Sequence, residues 1–234
     1  MSENETTLIS TPDLLMPRWE EIDTVLLDMD GTLLDLHFDT HFWLQHVPVR
    51  YAEANNLPLE KAREQLIQRY RQAEGKLEWY CVDYWSDQLS LNIEVLKQEV
   101  DHLISLRPDV IRFLQSLANA GKHRILVTNA HGKSLSLKMR KTPLGDHLDA
   151  IITAHDIGLP KESDEFWGEL QKKHAFSPDR TLLIDDSISV LLSAEKYGIK
   201  HLRAILQPNS KLEPDPHYRF IHVDRFTEIL PITN

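Results

Sequence analysis

Four short apolar runs constrain this chain more than any other feature: TVLLD at 24–28, RILVT at 124–128, AIIT at 150–153 and TLLID at 181–185. Each has the length of a strand and no polar alternation, the pattern of a strand covered on both faces in a parallel sheet. A fifth run, HLRAIL at 201–206, is weaker. Helical patterns lie between them. Pro108 to Ala120 carries Val110, Ile111, Phe113, Leu114 and Leu117 at helical spacing and is followed by Gly121, a proline-and-glycine bracket typical of a helix. Residues 164–174 and 188–197 have the same character, and Gly198 closes the second. Alternating strands and helices predict an α/β fold, a doubly wound parallel sheet.

One interval breaks the pattern. A parallel crossover needs about a dozen residues, yet roughly a hundred separate the first two strands. Residues 40–105 are mostly helical in pattern and carry Phe42, Trp43, Tyr51, Tyr70, Trp79, Tyr80, Tyr84 and Trp85. They are expected to form a helical insertion, with Pro48 and Pro58 separating its first helices. The core is then 19–39 plus 106–234. Residues 1–18, polar and with two prolines, are expected to be a disordered lead-in.

Neither a signal-peptide pattern nor an apolar stretch of membrane-spanning length occurs, so a cytoplasmic location and no membrane partner are expected. The single cysteine, Cys81, cannot form an internal disulfide. A net charge of −10 argues against a nucleic-acid partner. It does not exclude a small anionic substrate, because a metal ion and a few cationic side chains can reverse the potential locally.

Polar clusters sit where strands end, which is where open α/β sheets bind ligands. The first is Asp28-Met29-Asp30-Gly31-Thr32. Two carboxylates this close can bind a hard divalent cation, or divide labour between nucleophile and proton carrier. A lone D-x-D-G is equally an ordinary turn. Four apolar residues before it and Leu33-Leu34-Asp35 after it favour the functional reading. Thr128-Asn129 ends the second run and can hydrogen-bond phosphate oxygens, with a helix expected to start near Gly132; taken alone, it reads as a helix cap. Lys161, in the loop Gly158-Leu159-Pro160-Lys161-Glu162, is a solvated lysine unless an anion site lies nearby. Asp185-Asp186-Ser187 follows TLLI, and adjacent acids at a buried strand end require a cationic partner.

Taken together and in this order, VLLDMDGTLLD, LVTNA, Lys161 and LLIDDS resemble the four motifs of the haloacid dehalogenase-like hydrolases over about residues 22–206. The resemblance implies a Rossmann-like core and a type-1 helical cap after the first motif. Within the family, DTVLLDMDGTLLDLHFDTHFW, WYCVDYWSDQL, TNAH, GLPKE and RTLLIDDS are similar to bacterial purine 5′-nucleotidases acting on GMP and IMP. It further implies Mg2+ held by Asp28, the Asp30 backbone carbonyl and Asp186, with Asp185 behind it. Asp28 is then the nucleophile and Asp30 the general acid/base, assisted by Thr128 and Lys161. Met29, Asn129, Thr128 and Lys161 are the expected substrate contacts, with Asp39, Trp43 and Tyr84 as further candidates. Many family members carry another aspartate where this chain has Val190, which leaves the choice between Asp185 and Asp186 open. The expected substrate is a small phosphomonoester, a purine nucleoside monophosphate, bound by a monomer or small homo-oligomer.

The competing readings are a sugar-phosphate phosphatase or phosphomutase of the same fold, and a non-catalytic binding protein, against which the retention of both Asp28 and Asp30 argues. His37 and His41 are four apart, but HFDTH lacks the glutamate of a zinc-protease helix, so they are read as surface or cap histidines. His131 is either a substrate contact or a helix-start residue. KLEPDPH at 211–217 reads as a surface loop.

Overall fold

The computed structural model describes residues 16–214 and 219–231. Six parallel strands form one sheet: β1 (Thr24–Leu27), β2 (His123–Thr128), β3 (Ala150–Thr153), β4 (Thr181–Asp185), β5 (His201–Ile205) and β6 (His222–Val223), in the order β3-β2-β1-β4-β5-β6. The five apolar runs are strands within a residue or two of their predicted bounds. The two-residue β6 carries no apolar run and was not predicted.

β1 is central. It pairs with β2 from Thr24–His123 to Leu27–Leu126, and with β4 from Thr24–Thr181 to Leu27–Ile184. Its side chains alternate between two cores. Val25 and Leu27 join Phe113, Leu117, Leu182 and Phe226 on one face, and Leu26 joins Val127, Phe166, Trp167 and Leu191 on the other. Burial of both faces explains why β1 reads as continuously apolar; each such side chain contributes about 1.5–3 kcal/mol.

Between β1 and β2 run α1 (His37–His41), α2 (Val47–Asn55), α3 (Leu59–Ala73), α4 (Val82–Leu89) and α5 (Ile93–Glu99). They surround an apolar core of their own, built on Phe38, Phe42, Leu66, Tyr70, Val82, Trp85 and Leu96. The helical run begins at His37, inside the stretch assigned to the sheet layer. Pro48 does not separate helices. A π-helical turn, Phe42–His46, joins α1 to α2 without a break. Pro48 has no N–H for the carbonyl one α-helical turn back, and the wider turn falls where that bond would be missing. Pro58 does separate helices: the chain leaves α2 through a left-handed Asn56 (φ 52°) and Pro58 precedes α3.

The core helices are α6 (Val110–Asn119), α7 (Gly132–Lys141), α8 (Ala154–Ile157), α9 (Phe166–Lys173) and α10 (Ile188–Tyr197). α6 starts two residues later than expected, because Asp109 takes a left-handed conformation (φ 64°) at its head and leaves Pro108 outside. α10 ends at Gly198, whose φ of 106° suits a residue without a Cβ.

Of the expected lead-in, 1–18, residues 1–15 lie outside the described residues, while Met16 packs on the core. Residues 211–214 are exposed, as expected of a surface loop, and 215–217 lie outside the described residues. No helix among the described residues is long and apolar enough to cross a membrane.

Candidate active site

The strand order places the reversal of winding at β1, with β2 on one side and β4 on the other. The residues following β1 and those ending β4 therefore emerge side by side, at the crevice where such sheets bind ligands. Asp28, Asp185 and Asp186 meet there, each offering a carboxylate oxygen within 4.8 Å of the others'. Gly31 permits the approach. Its φ is 93°, and a Cβ on it would lie 2.4 Å from Asp186 Oδ2.

Lys161 joins this group although it is buried. Its Nζ donates to Asp28 Oδ1 (2.6 Å), Asp185 Oδ2 (2.7 Å) and the Val127 carbonyl (3.2 Å). The loop is held from two sides. Asn129 Oδ1 accepts from the Lys161 N–H (2.9 Å), and Ser193 Oγ donates to the Lys161 carbonyl (2.7 Å). Upstream, α8 is capped by Thr153 and Asp156 reciprocally and ends at a left-handed Gly158.

Burial pushes the Asp28 carboxyl up to about 6, against the pull of Lys161 and helped by the charge of Asp185. Burial also drives Asp186 well above the ordinary carboxylate range, with Asp28 and Asp185 adding to it. Burial opposes the charge on Lys161 as well, but Asp185 and Asp28 outweigh it and raise its pKa. Asp28 Oδ2 is buried with no hydrogen-bond partner. Both Asp185 oxygens are engaged, by Lys161 and by the Ser187 N–H (2.9 Å). A buried acceptor without a donor, inside a surplus of carboxylates, is the environment a hard divalent cation fits.

A second charged group adjoins the first. Lys138, on the inner face of α7 with Ser134 and Leu137, donates to Asp30 Oδ1 and Asp39 Oδ2, both at 2.6 Å. Lys97 of α5 donates to Asp39 Oδ1 (3.0 Å) and lies 4.5 Å from the Phe42 ring centroid. Burial raises the Asp30 carboxyl to about 6 against Lys138, with Asp39 and Asp28 contributing. Burial also opposes ionisation of Asp39, but Lys138 and Lys97 win and hold it at about 2.

Both groups open on one cavity of about 420 Å³, lined on the helical side by Trp43, Trp79, Tyr80 and Trp85, and on the sheet side by Asp28, Asp30, Thr128, Asn129, Lys161 and Asp186. Of the sequence candidates, Asp28, Asp30, Asp39, Trp43, Thr128, Asn129, Lys161, Asp185 and Asp186 all line it. Tyr84 does not; it packs edge-on against Trp85 at 5.1 Å. The Met29 side chain is buried in the core, so only its backbone is left for the site. Asn129 spends its amide on Lys161 and on Glu162 Oε2 (3.0 Å), holding the lysine loop. Thr128 Oγ1 accepts from the Ala130 N–H (3.0 Å), leaving its hydroxyl hydrogen to donate. His131 both lines the cavity and heads α7, its Nδ1 accepting from the Lys133 N–H (3.4 Å).

Lys138, Lys97 and the pair Tyr80–Glu162 (2.6 Å) were missed by sequence reasoning. Only Lys138 left a trace: it shares a helical face with Ser134 and Leu137, where a solvated lysine does not belong.

A model of the haloacid dehalogenase-like hydrolases matches residues 22–198. The chain belongs to this family. It is thus a hydrolytic enzyme, as the four motifs implied. A GMP/IMP nucleotidase of Escherichia coli, YrfG, is 39% identical over 213 residues, 91% of this chain and 96% of that protein. Solved family members share the fold. A HAD phosphatase from Thermococcus onnurineus has a TM-score of 0.74 at 22% identity, covering 88% of this chain and 95% of that one. YfnB of Bacillus subtilis, solved with magnesium bound, has a TM-score of 0.60 at 21% identity, covering 88% of this chain and 96% of that one.

Proposed function

We propose that the protein is a magnesium-dependent phosphomonoesterase that works through a phospho-aspartyl intermediate on Asp28, with a purine nucleoside monophosphate as substrate. The observation that carries the reading is the meeting of Asp28, Asp185 and Asp186, with one buried ammonium bonded to the first two and Asp28 Oδ2 left unpartnered.

Mg2+ would be held by Asp28, the Asp30 carbonyl and Asp186, and Asp185 is the weaker candidate because both its oxygens are taken. When bound, the ion supplies neutralisation of carboxylate and phosphoryl charge. The chain's residues do the rest. Lys161 fixes the Asp28 carboxylate and draws a phosphoryl oxygen towards it, and Thr128 offers a hydroxyl to another. An Asp28 oxygen bonds to phosphorus as the bond to the ribose oxygen breaks, and Asp30 delivers its proton to that leaving oxygen. Water then attacks the phosphorus and gives a proton to Asp30, the bond from phosphorus to Asp28 breaks, and both aspartates return to their starting states.

The helical insertion acts as a cap whose aromatic wall of Trp43, Trp79 and Tyr80 offers a face to a base. The GMP/IMP nucleotidase activity of the 39% identical relative supports a purine substrate. One experiment tests both steps. Hydrolysis of GMP in ¹⁸O-water should place label in released phosphate, and acid quenching should trap phosphate on Asp28. Label in the nucleoside, or no trapped phosphate, overturns the mechanism. Equal kcat/KM for GMP, UMP and ribose 5-phosphate overturns base recognition.

A further inference from the structure

A second group of metal-type side chains lies away from the carboxylates. Cys81, His131 and His155 each offer a ligand atom within 4.8 Å of the others'. They come from three elements: Cys81 from the head of α4 in the helical insertion, His131 from the head of α7, and His155 from α8. The two imidazoles stand edge to face, with centroids 4.9 Å apart and planes at 90°. His155 Nε2 is buried and has no hydrogen-bond partner. His131 uses Nδ1 as an acceptor from the Lys133 N–H, which leaves Nε2 directed elsewhere, 3.8 Å from Asp83 Oδ2.

We propose that Cys81, His131 and His155 form a zinc site, with Asp83 as fourth ligand, and that filling it locks the helical insertion onto the sheet layer. A thiolate and two imidazoles suit a borderline-soft cation, whereas the oxygen-only set of Asp28, Asp185 and Asp186 suits magnesium. The two ions are therefore sorted by ligand chemistry. Ligand atoms around tetrahedral zinc sit about 3.3–3.7 Å apart, so side chains whose ligand atoms already lie within 4.8 Å of one another need only a small closure on binding. Lys133 holds Asp83 Oδ1 (2.6 Å), which leaves Oδ2, the oxygen nearer His131, to reach the ion. Because His131 also lines the cavity, the ion sits at the cavity wall. Zinc then acts as a reversible brake: it ties Cys81 to two sheet-layer helices and slows opening.

The test uses the intact protein in millimolar Mg2+. Cys81 is the single cysteine in the sequence, so alkylation reports on it alone. Zinc should protect Cys81 from iodoacetamide, and Mg2+ alone should not. Co2+ in place of zinc should give a sulfur-to-metal charge-transfer band in the near ultraviolet. Zinc affinity, measured against a chromophoric chelator, should fall by more than about 10–100-fold, the loss expected for an outer-shell partner, in Cys81→Ser and independently in His155→Gln. Amide exchange over residues 79–90 should slow with zinc in the natural chain and not in His155→Gln. Unprotected alkylation, absence of the cobalt band, or equal zinc uptake by the natural chain and both variants overturns the site. Tight binding with unchanged exchange overturns the lock.

Discussion

Two buried lysines in this protein each bridge two aspartates, and their surroundings differ in one respect. Lys161 pairs with Asp28 and Asp185 beside a third carboxylate, Asp186. Among the described residues no second cation makes a hydrogen bond to the three, and Arg107 acts on Asp186 only through its charge. Lys138 faces Asp30 and Asp39, and Lys97 supplies a second ammonium to Asp39. The first cluster is overloaded with negative charge and the second is balanced. The consequences follow the number of ammoniums each acid has: Asp28 and Asp30, with one each, are pushed up to about 6 by burial, whereas Asp39, with two, is held at about 2. An overloaded cluster is built to receive a cation, and a balanced one to hold a side chain in place. Here the balanced cluster holds Asp30 from behind while the overloaded one presents Asp28.

The largest expected effect separates chemistry from stability. Asp28→Asn should lower kcat by on the order of 10⁴-fold or more, because the amide is a poor nucleophile. It should not lower metal-free stability, since it removes one of three crowded carboxylates. Asp39→Asn should do the reverse to stability and cost about 2–3 kcal/mol at neutral pH. The sign follows from a native pKa depressed to about 2 from 3.8: the stabilisation is complete above the unfolded value and is lost as pH falls through about 2. Urea midpoints of the natural chain and Asp39→Asn should therefore converge in strong acid. A clear loss of stability in Asp28→Asn, or none in Asp39→Asn, would break the contrast.

Next in size is Lys138→Met. As a positioning residue, Lys138 should affect kcat by roughly the 10²–10⁴-fold of general acid–base catalysis, with KM little changed. In the proposed mechanism protonated Asp30 is the productive acid, so kcat/KM should fall as pH rises through about 6. Lys138 favours the Asp30 carboxylate, so its removal should move that alkaline limb to higher pH. A limb that stays put, or a change confined to KM, would show that Lys138 only supports packing.

The smallest effect is thermodynamic. Mg2+ at a hundred times its Kd should stabilise the chelator-treated protein by about 2.7 kcal/mol. Asp186→Asn should abolish that gain and, without metal, raise Tm, because ionised Asp186 is penalised by burial and by Asp28 and Asp185. Equal stabilisation of both chains by Mg2+ would remove Asp186 from the metal site.

The strand ends were legible because both local signals they combine, a doubly buried run and an acidic stop, are written in consecutive residues. Asp28, Asp30, Asp185 and Asp186 were found in this way, whereas Thr128, with no acidic stop, needed the other motifs beside it. Lys161 needed the order of motifs as well, since nothing local marks it as buried. The helical insertion was legible from its length and aromatic content. Its starting point was not, because His37 to Asn55 is one continuous helical run that passes the expected boundary at residue 40 and the expected break at Pro48.

By itself, then, the sequence determined the parallel sheet, the carboxylates at its ends and the family that uses them. Burial and period are properties of neighbours along the chain, and they are read directly. The tertiary structure alone decided which charges meet. Asp30 and Lys138 are 108 residues apart, Asp39 and Lys97 are 58 apart, and Cys81 reaches His131 and His155 only because the insertion folds back over the sheet. The interaction of two charges depends on their separation in space and the polarisability between them, and neither quantity is encoded in the number of residues that separates them.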